Sequence, residues 1–308
     1  MGIDLNSAQL LIKAHKDGVL FERTATLGRQ RLLGSRPELI SILRRSGYKL
    51  LSDHVRRLLD PVTEYSEEFF KLLGAQEIIA IDVSDFEGAQ VLHDMNHPIP
   101  GSLISSFDIV LDGGTLEHIF NIPIALRNVA QMVRPNGRLI SLTMANNFCG
   151  HGFYQFSPEL FYRFFCPING YNTEYCVLWD DIPNSSFYYV PDPDRVRSRI
   201  NLTSEVGTYM IVQAKRVGEV SPEFVPQQSD YAWQWEEGRL AEFPKPLVRW
   251  AKLRSSLKRI PKVQPAVISA RKLLRIPTLH ALAEYRQLRI KRNAYNFLEP
   301  MKDLRVIR

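Results

Sequence analysis

Two histidines and a glutamate are the residues of this sequence best suited to chemistry. Glu117 and His118 are adjacent and follow the run Phe107-Asp108-Ile109-Val110-Leu111-Asp112-Gly113-Gly114-Thr115, and His151 lies in Cys149-Gly150-His151-Gly152-Phe153-Tyr154. Imidazole titrates near neutrality, so His118 or His151 suits the removal of a proton from a hydroxyl, with Glu117 alongside. Each histidine also has a structural reading. His118 can cap the next helix or bond a backbone carbonyl, and His151 can be a plain surface-loop residue. Asp112, Glu117, His118 and His151 fall near one another in the chain's organisation, but no ligand spacing demands a metal and none is expected.

Three aspartates form a second set. Asp82 ends the apolar run Glu77-Ile78-Ile79-Ala80-Ile81, Asp94 ends Gln90-Val91-Leu92-His93, and Asp112 ends Phe107–Leu111. A carboxylate just past a parallel strand points into the ligand crevice, and after the second strand it can accept both hydrogens of a ribose diol. Gly113-Gly114 allows close backbone approach at the third of these strand ends. Together they point to a nucleoside-containing ligand.

The elements that position these groups are legible around residues 107–146. A buried-strand run is followed by a polar turn. Apolar residues then recur at Ile124, Ala125, Val129 and Met132–Val133, the spacing of an amphipathic helix. Arg134-Pro135-Asn136-Gly137 reads as the turn that stops it, and Arg138–Met144 as the next strand: one βαβ unit of a parallel sheet. Upstream, the sequence predicts a helix over Ser7–His15 capped by Asn6 or Ser7 and a strand over Gly18–Leu27. Helices follow over Pro37–Tyr48, Asp53–Leu59 and Ser66–Leu73. Downstream, Ser157–Phe165 begins a helix with Pro158 at its first position, and Thr173–Trp179 and Gly207–Ala214 alternate as strands. The loop Asp180–Glu205 is expected to cover the site or a partner. The β/α alternation stops near Gly218, which divides the chain into an α/β domain over 1–218 and a basic, mainly helical extension over 219–308.

Composition bounds the function classes. The 308 residues, 45% hydrophobic and 23% charged, are those of an ordinary globular chain with one substantial core. No apolar run approaches the ~18 residues a membrane span needs, and the first residues lack a signal-peptide core, so a cytoplasmic protein is expected. Cys149, Cys166 and Cys176 show no CxxC spacing and are expected as reduced thiols. GxGxxG, GxxxxGK[ST] and GxSxG are absent, which disfavours nicotinamide, P-loop and serine-hydrolase readings.

At this point the sequence resembles a family. FDIVLDGGTLEHI, a helix, and then VRPNGRLISLTMANN are similar to the fourth and fifth strand region of class I S-adenosylmethionine-dependent methyltransferases. That resemblance implies a Rossmann-like three-layer sandwich, mostly parallel with a C-terminal antiparallel strand, and S-adenosyl-L-methionine as cofactor. It makes Asp82 the ribose-binding acid and His93-Asp94-Met95-Asn96 the adenine edge. Tyr154-Gln155-Phe156-Ser157-Pro158-Glu159 is similar to family members from bacterial glycan biosynthesis clusters, which implies O-methylation of a glycan or glycolipid precursor. The family's glycine-rich loop after the first strand is absent, and Thr26-Leu27-Gly28-Arg29-Gln30, 54 residues from Gly28 to Asp82, stands in its place. The candidate cofactor-binding residues are therefore Gly28, Arg29, Asp82, Asp94, Asp112 and Gly113, and the candidate catalytic ones His118, His151 and Glu117. A non-catalytic scaffold of the same fold, within a glycan-assembly complex, is the second reading.

Charge sets the C-terminus apart. From Pro244 onward 17 Lys and Arg face Glu284, Glu299 and Asp303, a net of +14, which leaves residues 1–243 at −8. Leu247, Trp250, Leu253, Leu257 and Ile260 form one helical stripe with Arg249, Lys252, Arg254, Lys258 and Arg259 mostly off it. A second basic helix is predicted over Pro277–Leu298. Packing on the main domain, attachment of residues 246–298 to the anionic inner face of a membrane, and nucleic-acid binding compete here, the last without any recognised reading module. Oligomeric state is open.

Overall fold

Short β-branched runs alternating with amphipathic segments build a layered α/β fold. The computed structural model describes residues 2–60, 62, 64–182, 185–200, 204–237 and 299–300. Strand Gly2–Ile3 (β1) precedes helix Leu5–Lys16 (α1), and the cap is Asp4 rather than Asn6 or Ser7: its carboxylate accepts the Ser7 N–H at 2.7 Å. Strand Arg23–Leu27 (β2) is shorter than the β-rich run suggested. Val19 and Phe21 instead fill the core, where Phe21 stacks on Phe70. Strand Arg31–Leu32 (β3) and helices Arg36–Arg45 (α2), Ser52–Leu59 (α3) and Glu67–Leu72 (α4) form a long insertion ahead of strand Glu77–Asp82 (β4).

The remaining order is strand Val91–Leu92 (β5), strand Phe107–Gly113 (β6), helix Ile122–Met132 (α5), strand Val133–Asn146 (β7) and helix Pro158–Phe164 (α6). Strands Tyr171–Asp180 (β8) and Tyr188–Tyr189 (β9), helix Pro193–Val196 (α7), strand Thr208–Arg216 (β10), helix Ser229–Glu237 (α8) and strand Glu299–Pro300 (β11) complete it. Nine strands form one sheet in the order β11-β9-β8-β10-β7-β6-β2-β4-β5. The run from β5 to β7 is parallel, and β10 lies antiparallel between β7 and β8. Both faces are covered, as β6 shows: Phe107 and Val110 join the core under α5 and α6, while Ile109 and Leu111 join the core under α1, α2 and α4.

Two expectations change. Arg134–Gly137 is not a turn between helix and strand but the first part of β7, carried through a register shift opposite Phe107–Ile109. Asn136 takes the left-handed φ of +65° that the bulge needs, and Gly137 lies so close to Asp108 that a Cβ would stand 2.7 Å from its carbonyl oxygen. The segment after Asp180 joins the sheet in part of its described residues. Tyr188–Tyr189 pairs with β8, and Asp192 and Asp194 bind Arg163 of α6, so this part builds the far edge of the sheet.

Residues past Gly218 continue on the same body as far as they are described. Ser229 N–H donates to Glu159 at 2.7 Å, Arg199 pairs with Asp230, and Trp233 Nε1 donates to Asp194. The basic segments at 246–298 lie outside the described residues. Among the described residues no helix is long and apolar enough to cross a membrane.

Candidate functional site

The chain runs from β2 outward to β4 and β5, then returns to place β6 and β7 on the other side of β2. Strand order therefore reverses between β2 and β6, and the crevice lies beyond their carboxyl ends. Gly28 turns the chain out of β2 with φ +69°, and its N–H donates to Ile81 O at 2.7 Å, which holds that turn beside the end of β4. Asp82 ends β4 half-buried, its Oδ1 accepting the N–H groups of Val83 and Ser84 next to it in sequence. Asp94 accepts from the N–H and side-chain amide of Asn96, and those bonds hold its carboxyl below the usual range. Asn96 in turn accepts the Asn121 N–H, tying this loop to the start of α5.

Arg29, a cofactor-binding candidate from sequence, is engaged by the protein itself. Its Nε pairs with Glu67 at 2.6 Å, its guanidinium lies over the Tyr65 ring at 3.8 Å, and Nη1 donates to Glu87 O. It clamps the helical insertion to the loop after β4. The neighbouring Gln30, which ends the stretch expected to replace the glycine-rich loop, is the residue that reaches into the switch point. Its amide nitrogen donates to Leu27 O at 2.6 Å, and its Oε1 is buried with no partner. That oxygen lies against Gly113, where a Cβ would stand 2.1 Å from it. Thr115 Oγ1 donates to the same Leu27 carbonyl at 2.7 Å from the β6 side.

Asp112 points inward, contrary to its expected place as a ligand-facing acid. It is 0% exposed: Oδ1 accepts the N–H groups of Thr115 and Leu116, and Oδ2 accepts the Ser141 hydroxyl at 2.6 Å. Burial raises its pKa against the pull of these bonds. The physical reason is local. A strand-end aspartate followed by Gly-Gly-Thr finds its donors in its own turn, so its work is to shape the turn that carries Glu117.

The three candidate catalytic groups do come together. Glu117 is fully buried, with Oε2 accepting the Thr143 hydroxyl at 3.1 Å and Oε1 unpartnered among the described residues. Burial, and then the neighbouring Asp112, push its carboxyl well above the ordinary carboxylate range. The His118 and His151 rings are exposed with centroids 4.9 Å apart, and burial followed by the proximity of His151 lowers the His118 pKa. The loop bearing His151 is fastened to this turn, because Phe153 and Tyr154 N–H groups both donate to Glu117 O. Beside them lies a cavity of about 240 Å³ whose lining includes Gly113, Gly114, Glu117, Thr143, His151 and Trp179. The indole Nε1 of Trp179 is buried and has no hydrogen-bond partner among the described residues. Phe120 and Phe153 meet edge to face, both exposed, in the same two loops. Ser141 and Thr143 were missed, although two hydroxyls two residues apart on an otherwise apolar strand share one face, a signal that period-two patterning contains.

No family model matches this chain, and no curated protein matches it. Solved structures align with it at low identity. The YcgJ protein of Bacillus subtilis is 13% identical over 68% of this chain and 98% of its own, with a TM-score of 0.37. A putative methyltransferase of Bacillus halodurans is 12% identical over 67% and 97%, with a TM-score of 0.35. The 1,6-didemethyltoxoflavin-N1-methyltransferase of Burkholderia thailandensis, solved with 1,6-didemethyltoxoflavin and S-adenosylhomocysteine, is 13% identical over 68% and 76%, with a TM-score of 0.34. The fold is Rossmann-like. Strand order and faces establish that within the chain itself.

Proposed function

We propose that this protein is an S-adenosylmethionine-dependent methyltransferase acting on a hydroxyl group. The observation that carries the reading is the position of Gly113-Gly114, which has the Gln30 amide at the switch point on one side and the cavity at Glu117 on the other. A donor in the crevice and an acceptor in the cavity would meet across two residues without side chains. The residues present suit the cofactor. Asp82 offers a carboxylate whose partners among the described residues are its own turn, and there the orphaned Gln30 Oε1 lacks the kind of donor that an ammonium group supplies. When bound, the cofactor supplies a methyl group already activated on sulfur, which leaves the protein to provide orientation and a place for the acceptor's proton.

The chain's own contributions follow. Asp82 would hold the ribose diol, Gln30 the amino-acid end, and Asp94 the loop beside the base. Asp112 holds the turn rather than the ligand. Trp179 Nε1 would donate to an acceptor oxygen, and the Glu117, His118 and His151 cluster is where the hydroxyl proton would leave. The finer reading is a glycan or glycolipid precursor. It rests on the resemblance at 154–159 and on the exposed Phe120–Phe153 pair, whose faces suit the C–H side of a sugar ring. A cytoplasmic enzyme whose residues 246–298 attach to an anionic membrane surface accords with such a substrate. Sedimentation with anionic vesicles by the full chain but not by a 1–243 truncation is the expected outcome.

A structure determined with S-adenosylhomocysteine tests the site. The ribose should lie at Asp82 and the sulfur toward Gly113-Gly114, and a ligand bound elsewhere overturns it. One observation favours the non-catalytic scaffold instead: Gln30 Nε2 and Thr115 Oγ1 both occupy Leu27 O, which closes the crevice floor with the protein's own side chains.

A further inference from the structure

One carboxylate oxygen of Glu117 and one ring nitrogen from each of His118 and His151 lie within 4.8 Å of one another. Ligand atoms about 2.0–2.2 Å from a tetrahedral ion stand roughly 3.4 Å apart, so the cluster is slightly open. Both imidazoles are exposed, and their rings lie against one another with centroids 4.9 Å apart. Glu117 is the fixed member. It is 0% exposed, Thr143 holds its Oε2, and Oε1 is buried with no hydrogen-bond partner. A buried acceptor left unpaired in a folded protein has to be explained, and a cation supplies what it lacks.

The loop of His151 is built to reach this point. Phe153 and Tyr154 N–H groups donate to Glu117 O at 2.8 and 3.2 Å, and Gly152 makes that approach possible, since a Cβ there would stand 2.8 Å from the same oxygen. A metal-binding carboxylate is held by an outer hydrogen-bond partner in many sites, and the Thr143 hydroxyl occupies that position.

We propose that Glu117, His118 and His151 bind a divalent transition-metal ion of the zinc type. Two imidazoles and one carboxylate select such an ion over magnesium, which prefers an all-oxygen shell. Three protein ligands leave a coordination position open, the pattern of sites that act on a bound ligand. Glu117 and His151 both line the 240 Å³ cavity, so a ligand oxygen placed there meets the ion. The site stands on the cluster alone and does not depend on the methyl-transfer reading.

Cobalt(II) is the probe, because its visible absorption reports coordination geometry without any assay of turnover. The full-length protein, untagged and freed of metal by chelation, should bind a single equivalent with the absorption of a low-coordinate nitrogen–oxygen site, and zinc should displace it. His118→Ala, His151→Ala and Glu117→Gln should each weaken cobalt binding by about tenfold or more. The two histidines are exposed, so their variants should keep the wild-type circular dichroism even if Glu117→Gln disturbs folding. Failure of the folded wild-type protein to bind cobalt overturns the proposal. So does unchanged binding by the double variant His118→Ala/His151→Ala, or displacement of cobalt by an equal concentration of magnesium.

Discussion

Asp112 and Ser141 stand directly opposite one another in β6 and β7, and the Ser141 hydroxyl donates to Asp112 Oδ2 at 2.6 Å with both residues 0% exposed. The other oxygen of Asp112 holds the N–H groups of Thr115 and Leu116. One carboxylate thus ties a strand pair to the turn that carries Glu117. In Ser141→Ala one of its oxygens is left without a donor in a dry place, which should cost about 1–3 kcal/mol. Urea unfolding measures it, and an unchanged midpoint contradicts this account of Asp112.

Gly152 and Gly150 flank His151 but differ in their surroundings. A Cβ at Gly152 meets Glu117 O at 2.8 Å, whereas one at Gly150 meets nothing within 4 Å. Gly152→Ala should therefore push the His151 loop off the Glu117 carbonyl and lower cobalt affinity, while Gly150→Ala leaves it unchanged. Equal behaviour of the two variants in the same titration would show that the loop's docking does not position His151.

His15 supplies a pH dependence far from the site. Its ring meets the Tyr48 hydroxyl, and burial, then Lys16, lowers its pKa from 6.5. The folded pKa lies below the unfolded one, so the unfolded chain takes up the proton first as pH falls. The contribution of His15 to stability is complete above the unfolded pKa of about 6.5 and is lost as pH falls through that value toward the folded pKa. Thermal midpoints of the wild type and His15→Gln should diverge less at pH 5 than at pH 8. A gap that is constant with pH contradicts the burial of a neutral imidazole.

Gln30 separates the enzyme from the scaffold. If its orphaned Oε1 receives the cofactor's ammonium group, Gln30→Ala should weaken S-adenosylhomocysteine binding by roughly tenfold, the scale of one hydrogen bond to a charged group. If the side chain is a plug, the same variant should bind more tightly or for the first time. Equilibrium dialysis with the labelled ligand decides between them.

Much of the fold was legible because its signals are local. Phe107–Leu111 and Leu139–Met144 are runs buried at every position, and the stripe from Ile124 to Val133 carries the helical period. The convergence of Glu117, His118 and His151 was legible too, since two turns beyond adjacent parallel strands must meet. What the sequence did not disclose depends on who bonds whom. Asp112 reads as a ligand-facing acid until Ser141 is seen across from it, and Arg29 reads as a cofactor-binding residue until Glu67 and Tyr65 arrive from 36 or more residues away. Gln30 reads only as the end of the stretch that replaces the glycine-rich loop. Its importance comes from Gly113, which reaches it only through the parallel pairing of β2 with β6.

Asp82 gives the most direct test of the central claim. Calorimetric titration of the full-length protein with S-adenosylmethionine should show binding at a single site, and Asp82→Ala should weaken it by about tenfold or more, as the loss of a charge-assisted pair of bonds to a ribose diol requires. No binding by the folded wild-type protein, or binding that Asp82→Ala leaves untouched, would contradict it.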